Sequence, residues 1–230
     1  MSLAIMSQYK YEMLLAAQIL LSVISPLFSG TVAASIIVDI AITAVFATAI
    51  YVISSTRKHF MIGLVLMLPS VVLLWSAELL GLQLLELIAL TGTAMFLCYI
   101  AWLILSDILH ARLVTFDIIA GGISVYLLFG NVCGVIYAII ARLDPGAFNI
   151  PEATAGFIAE NISDVGSAMY FSFVTLTTLG YGDITPINAF ARALAYLEAA
   201  TGQIYLTVLI ASLVGMHITR RSNKRGHGNE

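Results

Sequence analysis

Thr178-Leu179-Gly180-Tyr181-Gly182-Asp183 is the stretch whose residue types and spacing could do chemistry. It follows a hydroxyl-rich run and lies between two long apolar stretches. Gly180 and Gly182 can take backbone angles that other residues resist, which lets successive carbonyls point to one side. A row of such carbonyls can replace the water around a dehydrated cation. Thr178 can add a side-chain oxygen at the inner end, and Tyr181 can anchor the strand from behind by packing and hydrogen bonding. One chain supplies one row, so a ring of oxygens needs several copies, most simply around a cyclic axis.

The elements that must position this stretch are apolar. Of the 230 residues, 60% are hydrophobic and 10% charged, and the mean hydropathy is +1.01. A soluble domain carries about a quarter charged residues, so this chain is built for lipid. Six segments, near 13–29, 31–54, 61–80, 84–106, 116–142 and 190–217, are long enough to cross a bilayer, which takes about 20 helical residues. The 163–178 stretch is too short to span and is a re-entrant candidate. Lys10 and Glu12 precede the first apolar run without a convincing cleavage site, so that run reads as a retained anchor. Cys98 and Cys133 sit inside apolar runs and read as small core residues, with no zinc or disulfide spacing.

Charge asymmetry predicts the orientation. With six spans and the 143–189 connection outside, Lys10, Arg57, Lys58, Arg112, Arg220, Arg221, Lys224 and Arg225 fall inside, and only Arg142 and Arg192 fall outside. Both termini are then cytoplasmic by the positive-inside rule. Asp144, Glu152, Glu160, Asp164 and Asp183 lie in the outer connection, where a negative mouth would concentrate cations or simply form a solvated acidic loop. Asn161-Ile162-Ser163 is a glycosylation sequon.

Ser163 or Asp164 can cap a helix running to about Thr177. Entering from outside, its carbonyl end would point at mid-membrane and favour a cation there. The chain must then return without regular helix, and such backbone survives at membrane depth only where it is buried in protein or lines a polar pathway.

At these residues the chain resembles the tetrameric potassium channels with six spans per subunit. Thr178 to Asp183 is similar to their Thr-x-Gly-Tyr-Gly-Asp filter, with Leu179 where Val or Ile is usual, and the link to potassium selectivity is carried over from that family. The resemblance implies potassium sites at the carbonyls of Thr178, Leu179, Gly180 and Tyr181 and at the Thr178 hydroxyl, with Gly182 completing the strand. It also implies Tyr170 and Phe171 as an aromatic cuff, Thr177 and Asp183 as filter support, Pro186 after the filter, and Gly202 at the inner-helix hinge, a position that helix packing would equally explain. The match is best over 163–217; over 1–115 only the span count is similar. The implied fold is an all-α membrane protein with six transmembrane helices, a re-entrant pore helix and a filter loop, assembled as a homotetramer in the cell membrane. Residues 1–110 would form a four-helix membrane domain resembling an uncharged voltage-sensor-like bundle. Residues 111–219 would form the pore domain, and 220–230 a short basic cytoplasmic tail. Implied partners are lipid, further copies of the chain and potassium ions, with no other cofactor and no nucleic acid. Val174 stands where some relatives place a Glu that pairs with the filter's acid, so that pair is unavailable to Asp183.

Alternatives remain open on sequence: a non-selective cation channel of this architecture, or a non-conducting scaffold or modulatory subunit. No metal-ligand cluster, activated nucleophile or phosphate loop points to an enzyme. Only about 13 residues follow the last span, too few for a ligand-binding module; their basic residues suit anionic lipid or topology setting. His110 and His217 near the inner mouth could titrate or be inert. Asp39 and Glu78 are acids within spans, readable as vestigial countercharges or as polar contacts of the bundle.

Leu84 to Leu105 contains no basic residue, and one charge moved through 100 mV yields about 2.3 kcal/mol, so this span gains almost nothing from the field. A conductance–voltage relation measured in a planar bilayer is expected to be shallow; a steep one would overturn this reading.

Overall fold

The computed structural model describes residues 9–27, 32–54, 56–111, 115–150, 162 and 164–226. Arg112, Glu152, Glu160, Asn161 and Ser163 lie outside the described residues. The side chains of Asp39, Glu78, His217, Arg220, Arg221, Lys224 and Arg225 also lie outside what is described.

Long apolar runs with few breakers form helices: α1 (Lys10–Leu27), α2 (Val32–Ile53), α3 (Arg57–Leu80), α4 (Gln83–Leu109), α5 (Phe116–Leu143), α6 (Val165–Leu176) and α7 (Ala189–Gly226). Among the described residues, Arg57–Ser76, Gln83–Leu109, Phe116–Leu143 and Ala189–Ser212 are long and apolar enough to cross a membrane. Ile40–Ile53 and Val165–Leu176 are shorter apolar helices. This is a mostly helical membrane protein. Helices thus form over all six expected segments, and among the described residues the length and composition of a span are met in four of them.

Helix α5 organises the rest. Thr115 caps it through a hydrogen bond from the Ile118 amide (3.3 Å). Asp117 in its first turn and Arg142 in its last turn oppose its macrodipole. Helices α1, α4, α6 and α7 all pack against it. One hydrophobic cluster joins Leu14 of α1, Phe46 of α2, Phe96 and Ile100 of α4 and Leu128 of α5. That cluster is continuous across the division expected near residue 110. A second, around Tyr137, Phe148, Phe171 and Ile184, underlies the re-entrant segment.

Polar contacts pin both ends of this assembly. At one end Tyr11 donates its hydroxyl to Asp107 (2.8 Å) and its amide to Asp117 (2.8 Å), and Lys10 pairs with Asp107 (3.3 Å). At the other end Arg142 pairs with Glu86, joining α5 to α4. Arg142 is one of the two basic residues that the charge rule leaves outside, and it has a local partner there.

Helix α5 is also rich in glycine where it meets its neighbours. A Cβ on Gly122 would lie 2.9 Å from Leu209 of α7, and one on Gly134 would lie 3.0 Å from the Met169 Cα of α6. Small residues at such crossings let backbones approach closely. The all-helical expectation gains one addition: β1 (Phe148–Asn149) pairs antiparallel with β2 (Thr185–Pro186), Phe148 opposite Pro186 and Asn149 opposite Thr185.

Replacing Gly134 by Leu sets a side chain against the α6 backbone, and overpacking of this kind costs roughly 1–3 kcal/mol. A lowered thermal unfolding midpoint of the detergent-solubilised protein is expected; an unchanged midpoint would show that the α5–α6 contact is slack.

Candidate functional site

Helix α6 begins where its capping chemistry begins. Asp164 has extended backbone angles, and its carboxylate accepts from the Ser167 amide (3.0 Å), an N-cap of the expected kind. Ser163, the other expected cap, lies outside the described residues.

The helix ends at the candidate site, and the way it ends builds that site. Thr177 is the C-cap, and Thr178 follows in the left-handed region at φ 57°. The Thr178 amide donates to the Thr175 carbonyl (2.9 Å) and the Leu179 amide to the Val174 carbonyl (2.9 Å). Those two bonds form a Schellman closure, in which the left-handed position is usually glycine. A β-branched threonine there is a true outlier, and such strain persists only where its surroundings over-determine it. The Gly180 amide also reaches the Val174 carbonyl (3.2 Å). The helix's last carbonyls are therefore occupied by the amides of the returning strand.

Beyond that turn the sign of φ alternates. Thr178, Gly180 and Gly182 are positive at 57°, 57° and 78°, while Leu179 and Tyr181 between them are not. Alternation of this kind turns successive peptide planes so that their carbonyls share one side, and glycine makes it cheap at two of the three positions. Residues 177–182 are exposed in the single chain. Among the described residues no hydrogen bond is donated to the carbonyls of Thr178, Leu179, Gly180 or Tyr181. Leu179 and Tyr181 point their apolar side chains outward, 54% and 67% exposed.

The expected supports divide into two groups. Tyr170 donates its hydroxyl to Asp183 (2.6 Å), whose other oxygen accepts from the Ile184 amide (3.1 Å). This contact ties the far end of the strand to α6. Phe171 points instead into the core, edge-on to Tyr137 (4.8 Å between centroids) and Phe148 (5.5 Å). Thr177 returns its hydroxyl to the Phe173 carbonyl (2.7 Å). Pro186 lies in the ribbon with Phe148, beside hydrogen bonds from Ile187 and Asn188 to the Ala147 carbonyl. A brace outside α5 thus holds the strand's exit.

Gly202 touches the site directly. A Cβ there would lie 2.6 Å from Leu176 Cδ1 and 2.8 Å from the Leu176 carbonyl oxygen, and α7 is continuous through it. Packing alone accounts for glycine at this position. The same Leu176 carbonyl accepts from the Tyr126 hydroxyl (3.3 Å), and Gln203 reaches the Thr178 hydroxyl (3.5 Å).

Four neighbours were missed by sequence reasoning: Tyr126, Tyr137, Ser172 and Glu198. Glu198 is 1% exposed on α7. Tyr137 donates to its Oε2 (2.7 Å), and Ser172 Oγ contacts its Oε1 while also lying 2.7 Å from the Gly130 carbonyl oxygen. A signal was available: Glu198 is the lone charged residue between Arg192 and Arg220, and an acid inside a span marks a functional site by default.

Residues 126–218 match the family model described as an ion channel. These 93 of the 230 residues are similar to an ion-channel domain. The chain is also 36% identical over 56 residues to two-pore potassium channel 4 of Arabidopsis thaliana, a match covering 24% of this chain and 20% of that protein. The matched region is thus about a fifth of the relative's length. No solved structure matches. The matched domain takes in α6, the 178–183 strand and most of α7, which together carry the expected filter, cuff and hinge positions.

A methyl group at Gly202 must displace either Leu176 or the α7 backbone. Gly202→Ala is expected to lower stability by roughly 1–3 kcal/mol, read as an earlier thermal transition; an unmoved transition would remove the packing role.

Proposed function

We propose that four copies of this chain form a potassium-selective pore that conducts passively. The observation that carries this reading is the strand at 178–182. Its carbonyls accept no hydrogen bonds among the described residues, and its φ values alternate in sign. Four such strands around an axis would offer stacked rings of oxygen to a cation that has shed its water. The carbonyls of Thr178, Leu179, Gly180 and Tyr181 and the Thr178 hydroxyl would be the ion sites, with Gly182 turning the strand outward. The ion is the cargo, and its donors are backbone, so selectivity would depend on how firmly the strand is held.

Several features support assembly. The exposed Leu179 and Tyr181 side chains, and the exposed Leu197, Ile204, Val208 and Ile210 of α7, are apolar groups beside a polar strand. Non-helical backbone at membrane depth must be surrounded by protein or line an aqueous path, and further copies of the chain would provide both. Six spans, read from the apolar runs, would leave both termini on the cytoplasmic side, the arrangement that the distribution of basic residues favours.

Potassium efflux from liposomes holding the purified chain is expected to exceed sodium efflux by at least roughly tenfold, equivalent to about 1.4 kcal/mol. Gly180 sits at φ +57°, where an L side chain costs about 1–2 kcal/mol per copy. Gly180→Ala should therefore abolish most of that flux. Equal sodium and potassium flux, or flux indifferent to this substitution, would sink the proposal.

A further inference from the structure

Glu198 stands where α5, α6 and α7 meet, and its surroundings can be tested by counting protons. Three close oxygen–oxygen contacts form a connected set there, two of them on Glu198: Tyr137 hydroxyl to Oε2 (2.7 Å), Ser172 Oγ to Oε1, and Ser172 Oγ to the Gly130 carbonyl (2.7 Å). Two oxygens at such separations attract only with a proton between them. Tyr137 brings one proton and Ser172 one; the Gly130 carbonyl is an acceptor only. The third must belong to Glu198.

We infer that Glu198 is a neutral carboxylic acid and acts as a positioning residue for the ion-binding strand. Its acid proton is donated to Ser172 Oγ, the Ser172 proton goes to the Gly130 carbonyl, and the Tyr137 proton goes to Oε2. Each of these three contacts then holds one proton, and no charge is left in an apolar interior, where an unpaired one is very costly. The groups facing the carboxyl agree with a neutral state. From α5 these are Tyr126, Cys133 and Tyr137, and from α6 Ser172, with no cation among them. Among the described residues, Glu198 takes part in no ion pair.

The consequence reaches the strand through α6. Ser172 lies two residues before Val174, whose carbonyl receives the Leu179 and Gly180 amides. Fixing Ser172 to α5 and α7 sets the height and rotation of the helix end against which the strand turns. This role rests on the proposed reading of the strand as a filter; the protonation state does not.

The test uses the full chain in liposomes, and its first readout is independent of conduction. Infrared difference spectroscopy should show the carbonyl stretch of a protonated acid in the parent protein at neutral pH, lost in Glu198→Gln. Absence of that band would overturn the inference. The second readout is the potassium-to-sodium flux ratio. Gln keeps one donor and one acceptor in the same shape, so Glu198→Gln should stay within about twofold of the parent, whereas Glu198→Val, which strands Ser172 and Tyr137, should lose roughly tenfold. A loss in Glu198→Gln as large as in Glu198→Val would show that a charge, not a neutral clamp, is needed, and would overturn the inference. Should the Val variant fail to assemble, the infrared band and the Gln comparison still decide. A parent protein without potassium preference would sink the filter reading while the band still tests the acid.

Discussion

Backbone that leaves a helix inside an apolar layer must find partners for its amides, and the rest of the site follows from how this chain does so. The carbonyls of the last turn of α6 have no helical amides left to receive. The amides of Thr178, Leu179 and Gly180 turn back to fill two of them. That closure uses the amides of Thr178, Leu179 and Gly180 and leaves the carbonyls of Thr178 to Tyr181 without a donor among the described residues. Carbonyls left without a donor attract a cation more strongly the lower the local dielectric.

The closure comes at the cost of strain, at Thr178, a β-branched residue in the left-handed region. Glycine would be easier there, but it would carry no hydroxyl, and Thr178 supplies the only aliphatic hydroxyl in the strand from 178 to 182. Such a conformation has to be held from outside, and the supports are distributed accordingly. Tyr170 holds Asp183 beyond the strand, the β1–β2 ribbon holds its exit, and Leu176 is wedged between Tyr126 and Gly202 beneath it. Each support comes from a different element, so no single helix movement leaves all of them in place.

The same logic explains why α5 is glycine-rich on its inner faces and polar at its two ends. Packing without a hydrophobic driving force needs close backbone contact, which Gly122 and Gly134 permit. The polar contacts at Asp107 and Asp117 on one side, and at Glu86 on the other, lie at the helix ends. Helices α1 to α4 are thereby bound to α5 as part of one core, which the region matching the ion-channel family model shares.

Local chemistry was legible in the sequence. Apolar runs spell out where helices form, because length and hydropathy alone decide burial in lipid. Asp164 announces the start of α6, and the glycine pair announces a strand with unusual backbone angles, because caps and positive φ are properties of single residues. The likeness to ion channels was legible in the same six residues, which lie inside the matched region. What tertiary structure decided is everything that depends on distance between segments far apart in the chain. Glu198 reads as one acid in an apolar helix until Tyr137 and Ser172, 61 and 26 residues away, are brought to it. Gly202 reads equally as hinge or contact until Leu176 is found against it. The two-residue ribbon leaves no periodic trace, since strands that short have no pattern to show. Thr178 alone crosses the two kinds of knowledge. Its hydroxyl and place in the motif are written in the sequence, but its left-handed backbone exists only because the fold closes a helix on that residue.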